Sequence, residues 1–505
     1  MQMEEKEKDD SYTHILKYTG LFGGVQGLNI LIGIVRNKLV ALILGPDGMG
    51  LVALFNSTIK LISDSTNFGI AVSAVRNVSE AQAQHDGRKL AEAIRLIRSW
   101  SLLTALLGLL ACLLMGPLLS RWTFSWGDHT LHFVMLSPVI ALMAITGGET
   151  AILKGLRRLR PLAAISVYNV LFALASSVPL YYFFGQAGIV PSLVIMALGQ
   201  CAITVAYSYR LHRPVFTFSR SGLQEGKAMF RLGIAFVLTG ILGSGAEFAI
   251  RTYLNNTGQL AAVGLYNAGF MMIMTLAGIV FSSMESDYFP RLSGFDGVGA
   301  DFNRTVNRQA EVSLLLIAPL LILFMVTLPV LLPLLYSGKF LPILDMIRIG
   351  TIAMYFRALT LPMEYISLAR GDSHSYLFLE AVYDITLVLL VILGYEHSGL
   401  TGTGIGLALA GLVNLAVVSV YTHHRYRYVM APSLLFYTLI QIPLGLLGCL
   451  FTFMLQGFSY WVAGSVLTLL SLSVSLRILH SKAHLWHALR ERVVRRLKLT
   501  ERRRL

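Results

Sequence analysis

Charged side chains are scarce in this sequence: Asp, Glu, Lys and Arg make up 13% of 505 residues, against about 25% in a soluble globular protein. A soluble enzyme is therefore the wrong class. Cysteine is scarcer still, with three residues, Cys112, Cys201 and Cys449. Each falls inside an apolar run and no two have a paired spacing, which excludes a disulfide framework and a cysteine-based metal site. They read as packing residues. Long polar linkers are missing too, so nothing separates the chain into soluble domains. The stretch Met1–Lys17 lacks the basic-then-apolar order and small-residue cleavage site of a secretory signal. The first membrane span is expected to direct insertion itself.

What the sequence has in excess is hydrophobicity, 55% of residues with a mean hydropathy of +0.66. Apolar runs of about 20 residues, each enough for a helix to cross about 30 Å of hydrocarbon, fall near 20–44, 50–75, 99–120, 130–153, 161–184 and 189–209. A second group lies near 232–254, 261–286, 312–336, 346–369, 375–395 and 400–422, and a last pair near 433–455 and 459–478. The expectation is an all-α polytopic membrane protein of fourteen transmembrane helices.

The formal charge is +14, with 41 Lys and Arg against 27 Asp and Glu. Their placement speaks for membrane topology and against nucleic acid as a partner. Of the 41, 33 lie in alternate loops and the two tails, and only Arg121 and Lys339 lie in the other set of loops. By the positive-inside rule both termini are cytoplasmic.

A repeat is legible as well. Arg36 and Arg251, Arg76 and Arg291, and Arg210 and Arg425 are each 215 apart, Gly155 and Gly371 are 216 apart, and Gly50-Leu51 matches Gly264-Leu265 at 214. Landmarks this close to one shift imply a duplicated six-span unit. Both copies run in the same direction, so the expected arrangement is two six-helix lobes related by a pseudo-twofold along the membrane normal. The expected organisation is an N-terminal cytoplasmic tail at 1–17, lobes at 18–213 and 214–428, two appended spans at 429–479, and a basic amphipathic cytoplasmic tail at 480–505.

Inside the spans an ionisable residue costs roughly 2.5–3.5 kcal/mol unless it meets water or a partner. Candidate cavity cations are Arg36, Lys38, Lys60, Arg251, Arg348 and Arg357. Candidate ion-coupling carboxylates are Asp64, Glu247, Glu364, Glu380 and Asp384. Lys60 with Asp64, and Glu247 with Arg251, stand i,i+4 on one helix face, so a plain structural ion pair competes with a functional reading for each. Arg36 and Arg357 have no opposite charge one turn away, which favours a cavity role. Guanidinium groups bind phosphate oxygens bidentately, so such a cavity suits a diphosphate better than a cationic drug. Glu380 and Asp384 crowd two carboxylates and are candidates for coupling to H⁺ or Na⁺, although Glu380 alone fits a solvated interfacial position. Glu149 and Glu285 read as interfacial caps or gate partners of loop arginines. Neither a cofactor nor a catalytic or metal site is expected; His423-His424 lacks further ligands.

The 78–98 loop places Leu90, Ala91, Ile94 and Ile97 on one face, as an interfacial amphipathic helix would. Leu485, Leu489, Val493 and Leu497 repeat the pattern in the C-terminal tail, where membrane lipid is the expected partner.

The stretch Val35-Arg36-Asn37-Lys38-Leu39-Val40-Ala41, running on through Leu44-Gly45-Pro46-Asp47-Gly48-Met49-Gly50 to Leu54-Phe55-Asn56-Ser57, resembles the start of O-antigen translocases, the Wzx-type polysaccharide flippases. Asn67-Phe68-Gly69-Ile70 to Val75-Arg76 continues the likeness. The resemblance implies a multi-pass protein of a bacterial inner membrane. It would move undecaprenyl-pyrophosphate-linked glycan from the cytoplasmic to the periplasmic leaflet by alternating access, coupled to an ion gradient, with polysaccharide polymerase machinery as a candidate protein partner. Arg36 and Lys38 carry over by motif. Two other readings stay open: a cation-coupled multidrug exporter of the same superfamily, and a membrane enzyme acting on lipid-linked glycans. The first would favour twelve spans and an acidic or aromatic pocket, the second a large outer loop bearing carboxylates.

Overall fold

The computed structural model describes residues 2–84, 86–213, 220–283 and 287–483, and all regular structure among them is helical. The helices are α1 (Gln2–Thr66), α2 (Ile70–Ala83), α3 (Gly87–Thr123), α4 (Thr130–Gly155), α5 (Leu159–Phe184), α6 (Ile189–Leu211), α7 (Arg220–Thr257), α8 (Leu260–Ser283), α9 (Phe289–Ser293), α10 (Ala300–Leu335), α11 (Leu344–Gly350), α12 (Ala353–Ala369), α13 (Ser373–Tyr426), α14 (Pro432–Met454) and α15 (Gly457–Ala483). Glu285 and the amphipathic pattern from Leu485 onward lie outside the described residues.

Nine segments among the described residues are long and apolar enough to cross a membrane. In hydrocarbon every backbone amide needs a partner, and a helix supplies all of them internally. Three of the nine, Gly27–Thr66, Leu159–Leu211 and Ser373–Tyr426, run to 40, 53 and 54 residues. At 1.5 Å per residue, 54 residues would make a rod of about 80 Å, far longer than one crossing, so each must turn back on itself. Each does so at a glycine with positive φ: Gly45 (φ 65), Gly185 (φ 56) and Gly399 (φ 58). Only glycine takes that conformation without steric cost, and Pro46 follows Gly45 as a natural first residue of the next helix.

Turns and close contacts recur at one spacing. Gly185 (ψ −131) and Gly399 (ψ −140) share one conformation at positions 214 apart. Arg157 and Gly371, also 214 apart, both take positive φ, 54 and 66. Gly50 and Gly264 meet reciprocally: a Cβ on Gly50 would overlap the Leu260 carbonyl oxygen, and one on Gly264 the Pro46 carbonyl oxygen. Leu260 is itself 214 residues from Pro46, so the two close contacts join residues at one spacing.

By mutual packing the chain forms two compact units, residues 1–267 with 332–341, and residues 268–331 with 342–505. In the first, α3 packs on α4, α4 on α6, and α1 on α5 and α7. The amphipathic stretch at 78–98 takes its place here, with a correction. It is no separate interfacial helix but the end of α2, a turn, and the start of α3 capped by Asp86, whose carboxylate accepts from the Arg88 and Lys89 amides. Its Ile94 and Ile97 are buried with Ile70, Ala74, Val78, Ala151 and Ile152. Leu90 packs partly against this core and Ala91 is exposed, so protein covers the part of the apolar face around Ile94 and Ile97.

In the second unit α13 packs on α11 and α12, and α14 on α15. The two arms of α13 cross where Gly394 and Gly402 leave no room for a Cβ on either side. Ile322, Met325 and Val326 of α10 form a core with Cys449, Tyr460 and Leu467. All three cysteines are free and buried, as packing residues should be. Outside the spans, Asp372 caps α13: burial raises its carboxyl, but hydrogen bonds from Ser375, Arg425 and Tyr426 outweigh that and hold it at about 2.

Candidate functional site

In the first unit, α1 carries Arg36, Lys38, Lys60 and Asp64 on its two arms, and α7 carries Glu247 and Arg251. Arg36 is half-buried and donates from Nε to Ser177 Oγ at 3.0 Å and from Nη2 toward Met196 Sδ at 3.3 Å. Lys38 Nζ donates to the Pro333 carbonyl at 2.6 Å. Both cations are thus held by neutral groups.

The other charges neutralise one another in part. Arg251 makes the expected pair with Glu247 at 2.8 Å and donates to Asn267 Oδ1 at 2.9 Å. Lys60 reaches across to the second oxygen of Glu247 at 2.9 Å, so its ion pair is with α7, whereas its own helix offers Asp64. Asp64 is held near Ser244. One carboxylate therefore bridges two cations. Counting Asp64, the set of four cations and two carboxylates carries net positive charge, and that excess resides on Arg36 and Lys38.

In the second unit Arg357 of α12 is half-buried, with the Tyr383 ring 6.0 Å from its guanidinium carbon and Glu364 and Glu380 among its charged neighbours. Glu364 is buried and accepts from Asn414 Nδ2 at 2.9 Å. Glu380 accepts a hydrogen bond from Tyr376 and interacts with Asp384 and Glu364. Asp384 is itself buried. Two carboxylates, Glu364 and Glu380, thus flank one guanidinium, and Asp384 adjoins Glu380, an acidic group of the opposite character from that on α1 and α7.

Arg348 stands apart from these. It sits on α11, with Nη1 3.2 Å from Asp345 and Nη2 donating to Tyr460 Oη at 3.3 Å, and it lines a pocket of about 440 Å³ beside the α14–α15 turn.

Several participants carry no sequence signal. Asn267 and Asn414 are neutral amides in apolar runs, and only the contacts they make single them out. Arg98 and Glu149 form a bidentate pair at 2.8 and 3.2 Å, both side chains at most 3% exposed. Glu149 also accepts from Ser208, and Arg98 donates to the carbonyls of His212 and Arg213. Glu149, which in sequence fits an interfacial cap or a gate partner of loop arginines, thus pairs with Arg98 of α3. A groove of about 310 Å³ between α4 and α6 is lined by Thr146, Thr150, Lys154 and Gln200.

The fold is similar to that of several solved structures. The lipid II flippase MurJ in an inward closed conformation superposes with a TM-score of 0.69 at 12% identity, covering 91% of this chain and 99% of that one. An inward-facing multidrug resistance MATE family transporter of the MOP superfamily gives 0.65 at 16% identity over 79% and 94%. The MATE multidrug transporter DinF-BH gives 0.58 at 14% identity over 80% and 95%. At such identities the likeness establishes the fold. No curated protein sequence matches the chain. The family model for polysaccharide biosynthesis proteins matches residues 15–295, more than half of the sequence and the whole of the cation-bearing α7 together with both charged arms of α1. This multi-pass membrane protein, with the fold of MATE transporters and MurJ, belongs to the polysaccharide biosynthesis protein family.

Proposed function

We propose that the chain is a flippase that moves undecaprenyl-pyrophosphate-linked oligosaccharide from the cytoplasmic to the periplasmic leaflet by alternating access, and that it acts as a transporter and performs no chemistry on its cargo. In this reading it crosses the inner membrane fourteen times, with both termini cytoplasmic, and two six-helix lobes share a pseudo-twofold axis near Gly50 and Gly264. The observation that carries it is the pair Arg36 and Lys38, cations at membrane depth whose hydrogen-bond partners among the described residues are neutral. Such charges are costly without a counter-ion, and a diphosphate supplies one that a guanidinium grips through two oxygens. Family membership in polysaccharide biosynthesis supports the glycan half of the substrate.

The carboxylates Glu364, Glu380 and Asp384 then serve gradient coupling. Glu364 and Glu380 beside Arg357, with Asp384 next to Glu380, offer more carboxyls than cations, an excess that a proton or Na⁺ would balance, and transport follows if that cation binds in only one state. The same acidic set would also suit a cation-coupled multidrug exporter.

Glycan display in a bacterium deleted for its own flippase separates the two readings. Complementation should restore surface glycan, Arg36→Lys should lower the rate, and Arg36→Ala should lower it by about tenfold or more, since lysine keeps the charge but loses the fork. Glu247→Gln with Arg251→Gln removes that ion pair without leaving a buried charge and tests Arg251 separately. Asp384→Asn should abolish gradient dependence while the protein still inserts. Wild-type export by Arg36→Ala, or drug resistance without glycan export, overturns the flippase reading.

A further inference from the structure

The pocket beside the α14–α15 turn has no part in the transport cycle proposed above. It measures about 440 Å³, within the usual 300–1,000 Å³ of small-molecule sites. Arg348 forms its base with a side chain 9% exposed, while that of its partner Asp345 is 46% exposed. Tyr460 is 9% exposed and donates its hydroxyl to the Val326 carbonyl at 2.8 Å, so it fixes Arg348 from behind. At the mouth stand the Gln456 side chain and two rings that remain partly open, Phe453 at 43% and Trp461 at 41%.

Charge decides what such a pocket takes. One guanidinium and one carboxylate cancel, so nothing here draws a diphosphate as Arg36 and Lys38 do. What remains is a set of flat polar groups with unused acceptor and donor capacity, next to open aromatic faces whose apolar bodies pack against C–H surface. A pyranose ring offers the complement, with hydroxyls around its edge and C–H bonds on its faces. Aromatic residues that merely anchor a helix end at the lipid interface need no buried guanidinium paired with a carboxylate between them.

We propose that this pocket is a saccharide subsite, in which Asp345 and Gln456 bond ring hydroxyls, Trp461 and Phe453 cover the ring faces, and Arg348 holds Asp345 in place. It rests on the glycan reading for its ligand class. On the topology proposed above it faces the periplasm, where a translocated sugar would arrive.

The test uses purified full-length protein in nanodiscs and its tryptophan fluorescence. Glucose, galactose, rhamnose and N-acetylglucosamine are titrated, with inorganic phosphate and glycerophosphoethanolamine as headgroup probes. At least one pyranose should give a saturable change in the millimolar range, lost in Trp461→Phe and shifted about tenfold or more to weaker binding in Asp345→Asn. Gln456→Ala, on the open turn, provides a second variant should Asp345→Asn misfold, and should weaken binding likewise. A response to the headgroup probes alone, no pyranose response up to about 100 mM, or a response that survives Trp461→Phe or both of the other variants overturns the proposal. None of these outcomes bears on Arg36-dependent export in cells, so failure here and failure of the flippase reading remain distinguishable.

Discussion

An arginine inside a membrane is tolerated only through what it touches, and the arginines here divide on that ground. Arg98 is fully paired, with Glu149 on one side and two backbone carbonyls on the other, whereas Arg36 has a hydroxyl and a thioether. Arg98 is therefore a structural tie between α3, α4 and the end of α6. Breaking a buried pair from one side costs about 3–5 kcal/mol because a charge is stranded. Arg98→Met should accordingly lower the melting temperature sharply, and adding Glu149→Met should recover much of the loss; equal melting temperatures for the single and double variants would mean that the pair is not what holds the helices. Legibility at this scale followed charge. Arg36, Glu247 and Asp384 stand out in an apolar run, while Ser177, Asn267 and Asn414 are neutral and become visible only in contact. The i,i+4 rule paired Lys60 with Asp64 because periodicity sees one helix at a time; the closer carboxylate, Glu247, belongs to another helix.

Helices were the most legible elements, since about 20 apolar residues in lipid admit no other regular structure without closing a barrel. Their ends were less so. The Gly45, Gly185 and Gly399 turns look in sequence like any other glycine within an apolar stretch, and their left-handed backbone is what reveals the reversal. The amphipathic pattern puts Leu90, Ile94 and Ile97 on one apolar side while Ala91 is exposed, and a pattern cannot say whether lipid or protein covers that side. Close approach at Gly50 and Gly264 gives the element-scale prediction. Gly264→Ala should destabilise by about 1–3 kcal/mol, as overpacked sites do, because the new methyl meets the Pro46 carbonyl. Gly33→Ala, with nothing within 4 Å of its Cβ, should be neutral or should gain roughly 0.5–1 kcal/mol from helix propensity. Thermal unfolding of the two variants in detergent decides it, and an unaffected Gly264→Ala would show that the two backbones separate freely.

For the whole molecule, the loop charge asymmetry fixes a testable orientation. With the three native cysteines replaced, Gln456→Cys should react with an impermeant maleimide in intact cells and Ser481→Cys only after permeabilisation; labelling of Ser481→Cys in intact cells would reverse the topology or make the span count odd. The reciprocal contact of Gly50 with Gly264 has a consequence in the history of the chain. On the repeat reading these two glycines descend from a single residue that met its own copy across a homodimer interface, where any larger side chain would have collided with itself. Fusion of the two copies freed every other position to specialise. On that reading the first copy would have kept the unneutralised cations Arg36 and Lys38, and the second would have gathered the carboxylates Glu364, Glu380 and Asp384. A homodimer must present the same charge on both halves, so on that reading a fused pair would divide anion binding from cation coupling in a way its ancestor could not.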